Sequence, residues 1–171
     1  MAEIYPRELF VDEFLPTSDQ FAVTSVNGKV GRGIRTRAHI DRGTLVAKFT
    51  GILSNTVFQH SLQVSPETHL HDPYFVGLLS HSCAPNCVLD MQRLEILALT
   101  DIGPGELLTI DYAVTEDTLF RQFPCNCGSS GCRRWITGRR EAVNEAGKAF
   151  LAGLASRKVR PMVPRARRSA R

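Results

Sequence analysis

Three cysteines crowd one short loop, Cys125-x-Cys127-x4-Cys132, among glycines and serines. Thiolates this close together can hold one tetrahedral zinc ion at about 2.3 Å per bond, but a closed structural site needs a fourth ligand from elsewhere in the chain. Cys83, Cys87 or a histidine can supply it. Upstream lies Ser80-His81-Ser82-Cys83-Ala84-Pro85-Asn86-Cys87, which sets an imidazole beside thiols. Taken alone, His81 fits a hydrogen-bonded core histidine equally well. A third segment, Glu106-Leu107-Leu108-Thr109-Ile110-Asp111-Tyr112, reads as a strand ending in an acid and a phenol, a pattern that also suits a core tyrosine. Gly31-Arg32-Gly33 reads as a backbone turn able to approach a ligand closely. It lacks the G-x-G-x-x-G and P-loop forms, so nothing here points to a nucleotide phosphate.

Short elements must position these residues. FAVTSV (21–26), TLVAKFT (44–50), CVLDM (87–91), RLEILALT (93–100) and ELLTI (106–110) are apolar or β-branched runs bounded by Gly, Pro, Asp or Asn, the pattern of short strands. Turns are expected at Asn27, Asp41 and Ile102. Residues 54–79 are irregular and rich in histidine, which predicts loop. Thr115 is a candidate cap for a short helix reaching Phe120. One longer helix is expected from Arg139 to about Leu154, where Ala142, Val143, Ala146, Ala149, Phe150 and Leu154 recur at helical spacing.

The chain of 171 residues suits one domain with a tail, and its 43% hydrophobic and 22% charged content supports a packed core. The start, MAEIYPRELFVDEF, is acidic where a targeting peptide is basic, and no apolar run reaches the length of a membrane span. A soluble intracellular protein, in cytoplasm, nucleoid or nucleus and without a membrane partner, is the expectation. Five cysteines suit a metal site in a reducing compartment better than paired disulfides. The net charge of +4 is unevenly spread. Residues 1–138 carry eleven Lys and Arg against fifteen Asp and Glu, whereas residues 139–171 carry ten against two. The final RKVRPMVPRARRSAR has the composition of a solvated basic tail that can attract nucleic acid, although no aromatic is interleaved to stack on bases.

In combination and in this order, the glycine pair, Phe49-Thr50-Gly51, HSCAPN, GELLTIDY and CNCGSSGCR resemble the SET-domain protein lysine methyltransferases with their post-SET zinc loop. The resemblance runs from about Gly31 to Arg134, and the compact size is similar to bacterial members. It implies a mainly β fold of the β-clip type: several small sheets, a C-terminal pseudoknot, the zinc loop and one C-terminal helix. The implied organisation is a lead-in over 1–20, the SET domain over 21–124, the zinc loop over 125–138, the helix over 139–155 and a basic, disordered tail over 156–171. It further implies that Gly31, Arg32, Gly33, Ser80, His81 and Tyr112 contact S-adenosylmethionine, and that Trp135 and Ile136 lie over its adenine. Cys83, Cys125, Cys127 and Cys132 would bind zinc, leaving Cys87 as a buried thiol. Asn86, Asp111 and Tyr112 fall at the pseudoknot, with Tyr112 as the catalytic tyrosine.

The implied substrate is a lysine-bearing protein, basic in character, such as a histone or a ribosomal protein. Only the neutral amine attacks, so a lysine of ordinary pKa about 10.4 must lose its proton first. Three features depart from the family pattern. Ser80 replaces the asparagine that usually precedes the histidine, Leu78-Leu79 replaces an arginine-phenylalanine pair, and the substrate-selecting insert is reduced to about residues 54–74. These departures keep open a non-catalytic SET-fold module that binds a protein or nucleic acid. A small zinc-ribbon nucleic-acid binder would account for CNCGSSGC and the arginines but leaves HSCAPN and GELLTIDY idle.

Overall fold

The computed structural model describes residues 3–9, 14–26 and 31–158. The turn expected at Asn27 and residues 159–171 of the expected basic tail lie outside them.

The chain forms short strands because its apolar runs are short and are punctuated by turns. Strands β1 (Phe21–Val26) and β2 (Gly31–Thr36) make an antiparallel hairpin with Phe21 opposite Thr36. Gly31-Arg32-Gly33 therefore opens a strand instead of forming a turn. Strand β3 (Leu45–Lys48) will be joined later by strands from the middle of the chain. Next come β4 (Ile52–Ser54), β5 (Ser61–Ser65) and β6 (Thr68–His71), which form an antiparallel sheet in the order β4-β6-β5. The expected loop over 54–79 thus contains a hairpin. Its apolar residues Leu62 and Leu70 pair across the sheet and are buried, but the neighbouring Gln63 and His69 are buried as well. Burial of both faces removes the alternation by which a strand is read.

Strand β7 (Ser80–His81) is followed by β8 (Cys87–Asp90) and β9 (Glu95–Ala98), which complete the sheet β3-β9-β8. In β9 the inward residues Ile96 and Ala98 are buried while Glu95 and Leu97 are half-exposed. Strand β10 (Thr109–Ile110) then runs parallel to β7, pairing Thr109 with Ser80 and Ile110 with His81. Two segments distant in sequence are thereby laid side by side.

Helix α1 spans Tyr112–Thr115, earlier than the expected 115–120. The Asp111 carboxylate caps it by accepting from Ala113 N at 3.1 Å, so the cap sits at the acid of the DY pair and not at Thr115. Strands β11 (Phe123–Pro124) and β12 (Trp135–Ile136) flank the cysteine loop, and α2 (Glu145–Lys158) follows. Residues 139–140 do not join α2 because their amides bond instead to the carbonyls of Glu116 and Asp117. The helix begins where Asn144 Oδ1 accepts from Gly147 N at 2.9 Å.

The main core gathers Ile34, Phe75, Ile96, Ile102 and Leu108, each with no exposed surface. Each contributes about 1.5–3 kcal/mol on burial. Tyr5 joins this core from the N-terminal segment. Its hydroxyl donates to Asp72 Oδ2 at 2.5 Å, and Asp72 also accepts from the amides of Tyr74, Phe75 and Val76. Burial raises the pKa of both groups. Their mutual hydrogen bond is what makes a fully buried Asp72 tolerable. It fixes the turn that leads into β7.

Candidate functional site

The β7/β10 pairing sets the site. Ser80 N donates to Leu108 O and Ser82 N to Ile110 O, while Asn86 clamps the second segment by accepting from Thr109 N at 2.8 Å and donating to Leu107 O at 2.9 Å. This brings Cys83 to the loop that carries Cys125, Cys127 and Cys132. All four sulfurs lie within 4.8 Å of one another, and Cys83 Sγ is 3.9 Å from Cys125 Sγ. A tetrahedral ion with bonds of about 2.3 Å separates its ligands by about 3.8 Å. The donor set therefore fits zinc. Burial pushes the Cys125 thiol up, and the Ser129 hydroxyl at 3.3 Å draws Cys127 down to about 5. Cys87 lies apart in the main core, its thiol pushed up to about 12 by burial.

Beside this cluster, His81, Tyr112 and Phe123 form a three-ring group with centroids 5.4–5.9 Å apart. The Tyr112 hydroxyl donates to Leu79 O in a short hydrogen bond. Burial, with a contribution from the Glu116 carboxylate, raises the Tyr112 pKa, so the phenol stays neutral. Burial lowers His81 to about 4, leaving it neutral as well. Its Nδ1 accepts from Tyr112 N at 3.3 Å, which assigns the remaining proton to Nε2, 3.5 Å from Cys83 Sγ. His81 thus bridges the cysteine cluster and the tyrosine. Its Nδ1 also lies 3.7 Å from Asp111 Oδ1, but a neutral ring accepting at Nδ1 makes no ion pair there.

Asp111 is instead matched by Arg133, whose Nη2 lies 2.5 Å from Oδ1. The Arg133 backbone N–H points at Cys83 Sγ at 3.4 Å. The role of this arginine was not drawn from the sequence, although its position after Cys132 closes the cysteine motif.

The tyrosine opens onto a groove of about 1140 Å³. One wall carries Gly31, Arg32 and Ser80, and the cysteine-loop wall carries Phe123 to Cys127. Phe58 and Phe120, which are 46% and 57% exposed, also line it. Gly33 does not. A Cβ there would fall 2.7 Å from Val26 Cγ2 and 3.0 Å from Ser80 Oγ, so the glycine permits close packing beneath the groove. Nor do Trp135 and Ile136 line it: Ile136 is fully buried beside Leu119 and Cys125, and Trp135 faces Phe150 of α2.

This arrangement has known counterparts. The family whose profile matches is the SET domain, over residues 31–113. Residues 31–113 of the chain are a SET domain. Among curated relatives of this SET protein, human histone-lysine N-methyltransferase 2B is 29% identical over 132 residues, covering 62% of the chain but 5% of the relative. The Arabidopsis thaliana histone-lysine N-methyltransferase ASHR3 is 36% identical over 72 residues, covering 39% of the chain and 14% of the relative. The SET protein thus spans a small part of these relatives. Among solved structures, KRYPTONITE in complex with mCHG DNA and SAH superposes with a TM-score of 0.52 at 28% identity, covering 64% of this chain and 27% of that one. The methyltransferase domain of human SETMAR superposes with a TM-score of 0.54 at 23% identity, covering 69% and 58%, and supports the fold.

Among the described residues, no helix is long and apolar enough to cross a membrane.

Proposed function

We propose that this SET protein is an S-adenosylmethionine-dependent protein lysine N-methyltransferase with a structural zinc site. The observation that carries the reading is the meeting of Tyr112, His81 and the four-cysteine cluster at one groove, formed where β7 lies along β10. S-Adenosylmethionine, when bound, would supply a methyl carbon on a cationic sulfonium, open to attack by a neutral lysine amine, so that an N–C bond forms as the C–S bond breaks and the neutral thioether leaves. Gly31, Arg32 and Ser80 would hold it from one wall and Phe123 to Asn126 from the other. On the cysteine-loop side, Phe123 lines the groove where Trp135 and Ile136 do not, and it would be the ring to meet the adenine.

The protein's own contribution is alignment and exclusion of water. Tyr112 commits its proton to Leu79 O, so toward any further partner its oxygen can only accept, which suits an incoming amine N–H. A neutral, buried phenol of raised pKa orients the amine without serving as a strong base. His81 holds the Tyr112 backbone, and the apolar rings around it disfavour a charged amine. Zinc, when bound, would offset half of the thiolate charge and fix the loop that forms one wall. A lysine-bearing basic protein suits the excess of acid over base in residues 1–138.

The test is calorimetric titration of the zinc-loaded protein with S-adenosylmethionine, followed by incubation with labelled cofactor and a basic protein mixture. Saturable binding and label on lysine side chains are expected. Absence of binding would replace this reading with the non-catalytic SET-fold module.

A further inference from the structure

We propose that Gln122 is a positioning residue, through which helix α2 braces the cysteine-loop wall of the groove. The proposal rests on reading that groove as the cofactor site. The wall runs from Phe123 to Cys127, and apart from the cysteine cluster it has little of its own behind it. Its strand β11 pairs with β12 over only two residue pairs, and the small core beneath comprises Leu119, Cys125 and Ile136. Beyond the cysteine cluster and the bond from Cys125 N to Arg134 O, support for the wall comes from outside the loop.

Gln122 immediately precedes the wall and uses both ends of its amide. Its Oε1 accepts from Trp135 Nε1 at 3.1 Å and from Asn144 N at 3.0 Å, while its Nε2 donates to Ala142 O at 2.9 Å. One side chain thus joins three pieces of chain: the wall, the strand returning from the cysteine loop, and the start of α2. The indole it holds is packed on Phe150 of α2, with ring centroids 5.5 Å apart. At Gly147 the helix comes so close that a Cβ would lie 2.4 Å from Trp135 Nε1 and 2.6 Å from Val143 Cγ1. Glycine within a helix is unfavourable by about 1 kcal/mol relative to alanine. Here its lack of a side chain is what allows the helix to seat against the indole. Neither Gln122 nor Trp135 lines the groove, so both act through the wall.

The experiment uses full-length, zinc-loaded protein with two variants. Gln122→Met keeps length but removes all three hydrogen bonds, and Gly147→Ala improves helix propensity while driving a methyl into Trp135. The first readout is amide hydrogen exchange at Phe123, Cys125 and Asn126, which needs no cofactor. The second is the dissociation constant for S-adenosylmethionine, with zinc content measured alongside. Exchange at these amides should rise at least tenfold in both variants and the dissociation constant about tenfold, with zinc retained. Gln122→Glu, which keeps an acceptor for Trp135 and Asn144 but sets a second acceptor against Ala142 O, should recover part of the affinity lost in Gln122→Met. A merely structural role predicts a lower melting temperature with exchange and affinity of the folded protein unchanged, and that result overturns the brace. A stabilised Gly147→Ala with unchanged exchange overturns it too. Wild-type protein that binds no cofactor would defeat the methyltransferase reading, while the exchange data would still decide the brace.

Discussion

Replacing Tyr112 by phenylalanine separates chemistry from packing. The ring sits against His81 and Phe123 at centroid distances of 5.4 and 5.9 Å, and phenylalanine can keep both contacts. What disappears is the hydroxyl and its bond to Leu79 O. Leaving a buried carbonyl without that partner costs about 1–2 kcal/mol. A domain of ordinary stability, about 5–15 kcal/mol, remains folded after such a loss. The effect on transfer should be larger. If the oxygen aligns the amine, removing it allows displacements for which about a hundredfold loss of rate is typical. That is about 2.7 kcal/mol of barrier. The expected result is kcat down about a hundredfold, a cofactor dissociation constant within threefold of wild type, and a small fall in the urea midpoint. The assay is transfer of label to a lysine-bearing substrate at saturating cofactor, with calorimetry for binding. A variant turning over within threefold of wild type would remove Tyr112 from the chemistry. A variant that loses binding as much as turnover would make the hydroxyl a cofactor contact instead.

Chelating zinc, or replacing Cys83 by serine, should loosen residues 125–136 and weaken cofactor binding at least tenfold; unchanged affinity after verified metal loss would contradict a wall built by the metal. Glu116 gives a pH test. It is 7% exposed, and burial raises its pKa from 4.5 to about 7 against opposing contacts with Gln63 N, Thr115 and Arg139, with Asp117 adding a small rise. An acid whose folded pKa is raised is most stabilising when protonated, so its contribution falls as pH climbs from 4.5 to 7. Glu116→Gln should therefore gain up to about 3 kcal/mol on wild type between pH 5 and 8, less what the Gln63 bonds lose. Equal urea midpoint differences at the two pH values would refute the burial argument. Gly33→Ala must displace Val26, Leu107 or Ser80, since its Cβ would lie 2.7–3.0 Å from them. A stability loss of about 1–3 kcal/mol is expected, together with weaker cofactor binding, and an unaltered melting curve would show that the neighbours yield freely.

What could be read in the sequence depended on whether the signal was local. Strands β8 and β9 declared themselves because Cys87, Ile96 and Ala98 face the core while their neighbours are more exposed. The β5/β6 hairpin hid behind Gln63 and His69, polar residues whose burial no alternation announces. Three of the four cysteines were legible from spacing. The fourth was legible only from a family resemblance, because Cys83 reaches the cluster through a pairing of β7 with a strand about thirty residues later. Trp135 and Ile136 were legible as apolar but not as to what they face. Gln122 gave no signal at all, since a lone glutamine in a loop carries none until its three partners are assembled around it.

The long-range pairing also explains why metal and tyrosine should act together. Two links, both ending at Cys83 Sγ, join them. His81 accepts the Tyr112 amide at one nitrogen and presents the other to Cys83. Asp111, next to the tyrosine, caps α1 and is held by Arg133, whose own amide faces the same sulfur. A donor aimed at a sulfur is satisfied best when that sulfur is a thiolate, and thiolates crowded within 4.8 Å are stable together only around a cation. Without the ion the crowded sulfurs would not all stay deprotonated, both links would weaken, and Tyr112 and the neighbouring Asp111 would be less firmly held. On the proposed reading, a metal held by the cysteine loop would act on the position of Tyr112 as well as on the wall of the groove.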